Sequence, residues 1–358
     1  MRRIVAIHLL NDYSGSPKVL MQLLKVWTKN NFDTHLFTSG GRKGFLSDIN
    51  HVRNHSFWYR FSPVSIVRIF NFFISQFLLM VKLVFFLKKS DVIYINTVLP
   101  FGAAIAGKIK GCKIIYHIHE TSVKPKIFKN FLFGIAKITA FKIVFVSKFL
   151  LDQNTLIKNQ VLLYNVLESD FTKKADQFRN PDKRGKTVLM ICSLKNYKGV
   201  DEFFLLAKRN PHYRFKMVVN AFENEIKDFF KGKQQSDNLE IYPTQTDTHP
   251  FYREAGIILN LSHPNRWIET FGLTILEGMR YGLPSIVPPV GGITELVENH
   301  KNGFLINSKN TEELSEKLNF IMENPSVYRA FSKASYLKSQ KFSEEYFEKE
   351  AVKIVSNL

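Results

Sequence analysis

Cysteine is nearly absent: Cys112 and Cys192 stand 80 residues apart, with no ligand-like neighbours. That excludes a disulfide framework and a zinc site, and reduced thiols in cytosol are the plain expectation. No internal repeat and no biased tract occurs, which excludes a solenoid and a disordered chain. Long hydrophobic runs are missing too. The longest uncharged stretch of the most apolar segment, Ile69–Val81, holds 13 residues, short of the ~20 that span a bilayer. At the start, MRRIVAIHLLNDYSG carries two arginines and a short apolar run, but His8 interrupts it and no small-residue cleavage site follows. It reads as a first strand and not as a signal peptide.

Acidic residues are scarce in one half only. Residues 1–170 carry 8 Asp/Glu against 23 Lys/Arg, and residues 171–358 carry 23 against 27, within a net charge of +19. The first half therefore expects an anionic partner: nucleic acid, an acidic membrane surface or a phosphate-bearing substrate each meets that demand. No nucleic-acid-binding motif is present, which sets the first of these aside.

What the chain does have is room for two domains, with 358 residues of which 45% are apolar and 23% charged. Short runs rich in Val and Ile alternate with stretches of helical period, the α/β pattern of parallel sheets covered by helices. In the first half the expected strands are Arg3–Leu9, Asp33–Phe37, Val92–Asn96, Lys113–His117, Ile143–Val146 and Val161–Tyr164. A polar, charged stretch follows, with Asn180–Pro181 and Gly185 as turn formers. The series then restarts with Thr187–Cys192, Phe215–Val219, Leu239–Tyr242, Ile257–Leu261, Pro284–Val287 and Gly303–Ile306. The expected domains are thus 1–170 and 187–340, with a linker over 171–186 and a last helix over 341–358.

Two segments of the first half carry a second reading. In Pro63–Lys89, Arg68, Asn71, Ser75, Lys82 and Lys89 fall near one helical stripe and leave a wide apolar face. It is either a core helix feeding strand Val92–Asn96 or a membrane contact. Segment Lys108–Lys148 holds nine lysines and one acid, Glu120. Within it PKIFKNFLFGIAK interleaves lysines with Phe128, Phe131, Leu132 and Phe133, as would a helix lying on anionic lipid or a solvated helix backed by core.

The densest chemistry lies in Ser262–Val297, SHPNRWIETFGLTILEGMRYGLPSIVPPVGGITELV. If Leu273 opens a helix, its unpartnered N–H groups and positive end offer a diphosphate site beside Glu269. Glu277 follows one turn later, where a carboxylate can accept hydroxyl hydrogen bonds. Two carboxylates at this spacing are common on surface helices; the composite is specific. Glu-x-Phe-Gly-Leu, the second Glu, Gly-Met-Arg-Tyr-Gly-Leu-Pro and Gly-Gly-Ile-Thr-Glu-Leu-Val together resemble the donor-binding signature of glycosyltransferase family 4. Val144–Ser147, Tyr164–Asn165–Val166 and Lys198–Gly199 fall in the order that family shows.

The resemblance implies a GT-B fold, two Rossmann-like domains facing each other across a cleft that holds the active site. The first would bind the acceptor and face the membrane, the second would bind the nucleotide sugar, and the final helix would cross back to the first. By the same likeness, Glu269 contacts donor-sugar hydroxyls, backbone N–H groups of Phe271, Gly272 and Leu273 serve sugar and diphosphate, and Glu277 holds the ribose. Lys198 resembles the lysine that neutralises the departing diphosphate, a charge that Lys, Arg and helix ends must meet where no metal does. No Asp-x-Asp occurs, and the family implies a metal-independent reaction without cofactor, the UDP- or GDP-linked sugar being substrate. Ser193 departs from the pattern, which has an arginine five residues before Lys198; Lys195 is the nearest replacement, and a catalytically silent member is the reading this leaves open.

In the first half, Asn11–Ser16 follows strand one and opens a helix, where Gly15 permits close approach of a phosphate or acceptor. His117–Ile118–His119–Glu120 ends a strand, with both histidines on one side. His119 resembles the family histidine that reaches the donor sugar, and strand C-terminal ends are where α/β sites lie. The implied mechanism retains anomeric configuration without a protein nucleophile. Together these readings describe a cytoplasmic enzyme held peripherally at the inner face of the cell membrane. It transfers a hexose to a lipid-linked saccharide of a surface polysaccharide or glycolipid. Rival readings are a nucleotide-sugar epimerase, a transferase with a soluble acceptor, and a non-catalytic basic module.

Overall fold

The computed structural model describes residues 2–41, 43–121, 123, 125–153, 159–179, 185–233 and 236–358. It divides into two compact units, Met1–Tyr164 with Glu345–Leu358, and Asn165–Glu344.

The first unit is a seven-stranded sheet: β1 (Arg3–Ile7), β2 (Asp33–Ser39), β3 (Arg53–Phe57), β4 (Val92–Asn96), β5 (Lys113–Ile118), β6 (Lys142–Phe145) and β7 (Gln160–Leu162). Every pairing is parallel, in the order β3-β2-β1-β4-β5-β6-β7. Helices α1 (Gly15–Lys29), α2 (Ser65–Phe86), α3 (Phe101–Lys110), α4 (Lys126–Thr139) and α5 (Lys148–Asp152) connect the strands. Central strands β1 and β4 are buried throughout or nearly so, as their unbroken apolar runs require. Strand β3 was not foreseen; its sequence RNHSF is polar because it pairs on one side only, at the sheet edge.

Helix α2 has an unusual distribution. Phe72, Ser75, Gln76, Leu79 and Leu83 are buried, and the Gly102 N–H of α3 donates to Gln76 Oε1 at 3.2 Å. Ile66, Phe70, Phe77 and Phe85 are 80%, 65%, 59% and 87% exposed. The expected polar stripe is therefore partly turned inward at Ser75, and the helix gives one face to the core through Phe72, Leu79 and Leu83 while the other stays uncovered. Running through Arg68 and Lys82, the helix is long and apolar enough, by length and composition, to cross a membrane. Helix α4 packs its Phe128 and Phe131 rings toward Phe72, Phe73 and Phe101 and leaves Ile127 outward.

The second unit contains α6 (Ser169–Phe178), β8 (Thr187–Ser193), α7 (Val200–Arg209), β9 (Arg214–Asn220), α8 (Glu223–Phe230), β10 (Leu239–Tyr242) and α9 (His249–Glu254). Next come β11 (Ala255–Leu259), α10 (Leu273–Arg280), β12 (Ser285–Val287), β13 (Gly303–Leu305), α11 (Thr311–Glu323) and α12 (Pro325–Ser339). Its six strands are parallel, in the order β10-β9-β8-β11-β12-β13. Helix α6 occupies much of the stretch expected to be a linker, because Phe171 stacks on His249 (4.4 Å) and Asp176 pairs with Arg280. Asn180 and Pro181 lie outside the described residues.

Helix α13 (Glu344–Ser356) packs on the first unit. The buried Trp27 Nε1 donates to the Ala351 carbonyl (3.1 Å), Arg2 donates to those of Val355 and Ser356, and Lys142 to that of Ile354. These cations satisfy carbonyls that a helix end leaves without partners.

Candidate active site

In each sheet the strand order reverses once, between β1 and β4 in the first unit and between β8 and β11 in the second. Such a reversal opens a crevice beyond the strand C-terminal ends, the place where α/β sheets bind ligands. In both units the candidate residues gather there.

In the second unit, β8 ends at Ser193 and one 3-10 turn, Asn196–Lys198, presents Lys198. The segment after β11 brings Ser262, Trp267 and Glu269. Lys198 Nζ and Glu269 Oε1 form an ion pair, their side chains only 12% and 15% exposed. Ser262 Oγ donates to the same oxygen at 2.8 Å. Burial pushes the Glu269 carboxyl up, but the Lys198 charge and the donors on Lys198, Ser262 and Asn260 outweigh it, so the group sits below the ordinary carboxylate value. Glu269 is thus an anion and not a proton donor. The Lys198 ammonium lies 4.6 Å from the Trp267 ring centre, and Trp267 stacks on Tyr197 at 5.2 Å. Behind them His263 donates its backbone N–H to the Tyr197 carbonyl and faces Glu202, which also pairs with Lys309. Burial holds the Cys192 thiol up at about 12, with Lys198 pulling down and Glu269 pushing up, so it is no thiolate nucleophile.

Two glycines let this loop form. At Gly272, which caps α10, φ is +98°, and at Gly291 it is +105°, a region that side chains rarely enter. A Cβ on Gly291 would lie 2.3 Å from the Glu269 carbonyl oxygen, and one on Gly272 2.8 Å from Ile293. Phe271 is buried against Phe342. Helix α10 carries no acid in its first turn, so its positive end is uncompensated by its own side chains. Glu277, one turn in, is buried and accepts a hydrogen bond from the Tyr252 hydroxyl. The two carboxylates of the motif therefore differ in setting: one is held by a cation, the other by a phenol.

Of the remaining candidates, Ser193 ends β8 with its carbonyl accepting the Lys195 N–H (2.8 Å), and the Lys195 side chain is exposed. Gly15 and His119 belong to the first unit. Gly15 starts α1 with open space where a Cβ would sit. His119 is joined there by residues the sequence reading had not singled out. His119 Nε2 lies 2.8 Å from Asn96 Oδ1, and Asn96 Nδ2 lies 3.0 Å from the Ser16 carbonyl and 3.1 Å from His8 Nδ1. Burial first, then the neighbouring His117 and His8, hold His119 well below the ordinary histidine value. Burial raises the Glu120 carboxyl to about 7 against the backbone donors around it and the Thr97 hydroxyl. Thr97 has φ +79°, strained for a β-branched residue, and is held by its N–H to the His117 carbonyl at 2.8 Å. Asn96 closing an otherwise apolar strand was the one sequence signal for this cluster. Among the described residues no group of three or more His, Cys, Asp and Glu side chains is placed to hold a metal ion.

Residues 171–338 match the profile of the family described as glycosyl transferases group 1. The matched stretch covers most of the second unit, which is thus similar to glycosyl transferases group 1. An uncharacterized glycosyltransferase of Haemophilus influenzae is 31% identical over 166 residues, 45% of this chain and 46% of that one. The alpha-monoglucosyldiacylglycerol synthase of Acholeplasma laidlawii is 25% identical over 206 residues, 54% of this chain and 50% of that one. The chain thus spans about half the length of these curated relatives. A crystal structure of Anabaena HepE in complex with UDP and glucose superposes with a TM-score of 0.81 over 100% of both chains, at 18% identity. The architecture is therefore GT-B, with the stretch that matches the group 1 profile lying in its second Rossmann-like half.

Proposed function

We propose that the chain is a retaining glycosyltransferase that moves a hexose from a UDP- or GDP-linked donor to a saccharide carried on lipid. The observation that carries this reading is the Lys198–Glu269 pair at the strand-order reversal of the unit that matches the group 1 profile. A nucleoside diphosphate on the α10 end would draw Lys198 away from Glu269. The lysine then meets the charge that grows on the departing diphosphate, and Glu269, still ionised, accepts hydrogen bonds from sugar hydroxyls. Glu277 would take the ribose, and Lys195 would stand in for the arginine that Ser193 replaces. The sugar–phosphate C–O bond breaks and the acceptor oxygen bonds to the same face of the anomeric carbon. Its proton passes to a diphosphate oxygen, which leaves no role for a covalent protein partner.

Support for a lipid-borne acceptor comes from the first unit. The exposed face of α2 and the outward Ile127 of α4 are linked through Phe131, which packs on Phe73 at 6.0 Å and stays partly exposed. Helix α2 carries Arg68 and Lys82 and helix α4 carries Lys126, Lys129 and Lys137, within the half of the chain that holds most of the positive charge, a composition that suits an anionic interface. Because α2 is fastened to α3, it would lie on the inner face of the membrane and not cross it. The likeness to a synthase that makes a glucosylated diacylglycerol agrees with this partner.

The test is incubation with a panel of nucleotide sugars and a saccharide acceptor, followed by NMR of the product. Retained anomeric configuration is expected. Inverted product contradicts the mechanism, and conversion of the donor without any acceptor would make the protein an epimerase.

A further inference from the structure

The amide of Asn96 reaches three elements at the strand-order reversal of the first unit, and its two ends are chemically distinguishable. The Ser16 carbonyl oxygen, 3.0 Å from Asn96 Nδ2, can only accept a hydrogen bond. The amide nitrogen must therefore point there, which turns Oδ1 toward His119. A carbonyl oxygen also only accepts, so at 2.8 Å His119 Nε2 must carry the hydrogen. A neutral imidazole has one N–H, and His119 is held neutral by burial and by the rings of His117 and His8. Its Nδ1 is left as a lone pair.

We propose that Asn96 is a positioning residue for His119, fixing the proton on Nε2 so that Nδ1 presents a hydrogen-bond acceptor to a hydroxyl of the donor sugar. The second half of this rests on the reading of His119 as a donor contact. The local backbone is committed to the arrangement. Asn96 is the last residue of β4, and the strained Thr97 after it is pinned to β5 through the His117 carbonyl. His8 at the end of β1 and Ser16 in the first turn of α1 close the other side, so three strand ends and a helix start set one ring. A histidine that merely filled the core would not need its tautomer selected by a side chain reaching across them.

The experiment is long-range 1H–15N NMR of the unaltered full-length protein, with His119 assigned through His119→Asn. The expected spectrum shows His119 as the Nε2–H tautomer, protonating only well below the ordinary histidine value. An Nδ1–H tautomer, or an ordinary titration near 6.5, overturns the proposal. The Asn96→Leu variant should lose the tautomer preference and lower kcat/KM for the nucleotide sugar about tenfold, the value of one uncharged hydrogen bond. Asn96→Asp keeps an acceptor at Nε2 but adds a negative charge, so His119 protonates more readily and the pH profile gains an acid limb. A variant with the normal tautomer in Asn96→Leu also overturns the proposal. If the tautomer is as expected and changes with Asn96 but donor kinetics do not, then Asn96 fixes the ring and the donor-contact reading of His119 falls instead.

Discussion

Replacing Glu269 with Gln separates two effects that share the Lys198–Glu269 pair. In the ligand-free protein the substitution leaves a buried ammonium facing the Trp267 ring, with its counterion gone. Removing one partner of a buried pair costs roughly 3–5 kcal/mol, whereas removing both costs much less, since no uncompensated charge remains. The second unit of Glu269→Gln should therefore unfold at lower temperature and lower urea than that of the wild type. Lys198→Met should do the same, and the Lys198→Met/Glu269→Gln double variant should recover ~2 kcal/mol relative to the sum of the singles. UDP or GDP supplies the second arm. Freed of its carboxylate, Lys198 in Glu269→Gln should bind the diphosphate at least as well as before, so ligand at 100 times the wild-type Kd should stabilise this variant by about 2.7 kcal/mol or more relative to its own ligand-free form. Stabilisation by either nucleotide should vanish in Lys198→Met. Strictly additive single variants, or loss of nucleotide binding in Glu269→Gln, would refute the assignment of Lys198 to the diphosphate.

Three further outcomes follow from named groups. Glu120 has a folded value raised to about 7 from an ordinary value near 4.5, so its contribution is complete below that ordinary value and is lost as pH rises through 7; Glu120→Gln should flatten that part of the urea-stability profile. His8 and His117 have the opposite sign: burial lowers them to about 4 and about 3, so stability should fall as pH drops below ~6.5, by roughly 3 kcal/mol from His8 alone by pH 4. His8→Gln should remove most of its share in acid titrations followed by circular dichroism. On α2, Phe70→Ser with Phe77→Ser should leave the melting temperature within a degree or two, both rings being mostly exposed, and reduce binding to phosphatidylglycerol vesicles at least ~10-fold in flotation; unchanged binding would remove the membrane surface from the account.

Much of the architecture is written in local patterns. The Val/Ile runs of β1, β4, β8 and β11 mark buried parallel strands because both faces are covered, and the Phe-Gly-Leu and Gly-Gly motifs mark a loop whose glycines are required by space. Edge strand β3 escaped notice for the converse reason: half-solvated and paired on one side, it has no apolar signature. Helix α2 misled because periodicity shows where polar residues lie, not which face is covered; Ser75 and Gln76 turn inward while phenylalanines face out. Helix α6 looked like a linker until Phe171 met His249. Lys198 and Glu269 are 71 residues apart, and in the sequence only the family likeness joins them in one site. Their direct ion pair, and the Asn96 bridge to His119 and His8, depend on which strands become neighbours at the reversal, and no local pattern encodes that.

The account stands most directly on donor turnover by the Lys198–Glu269 site. Release of UDP or GDP from a panel of nucleotide sugars, with acceptor present, should be measurable for the wild-type protein. It should fall by at least ~100-fold in both Glu269→Gln and Lys198→Ala, the range seen when an electrostatic contact to the transition state is lost, with circular dichroism unchanged. Wild-type rates in both folded variants would contradict the claim that this pair is where the sugar leaves its diphosphate.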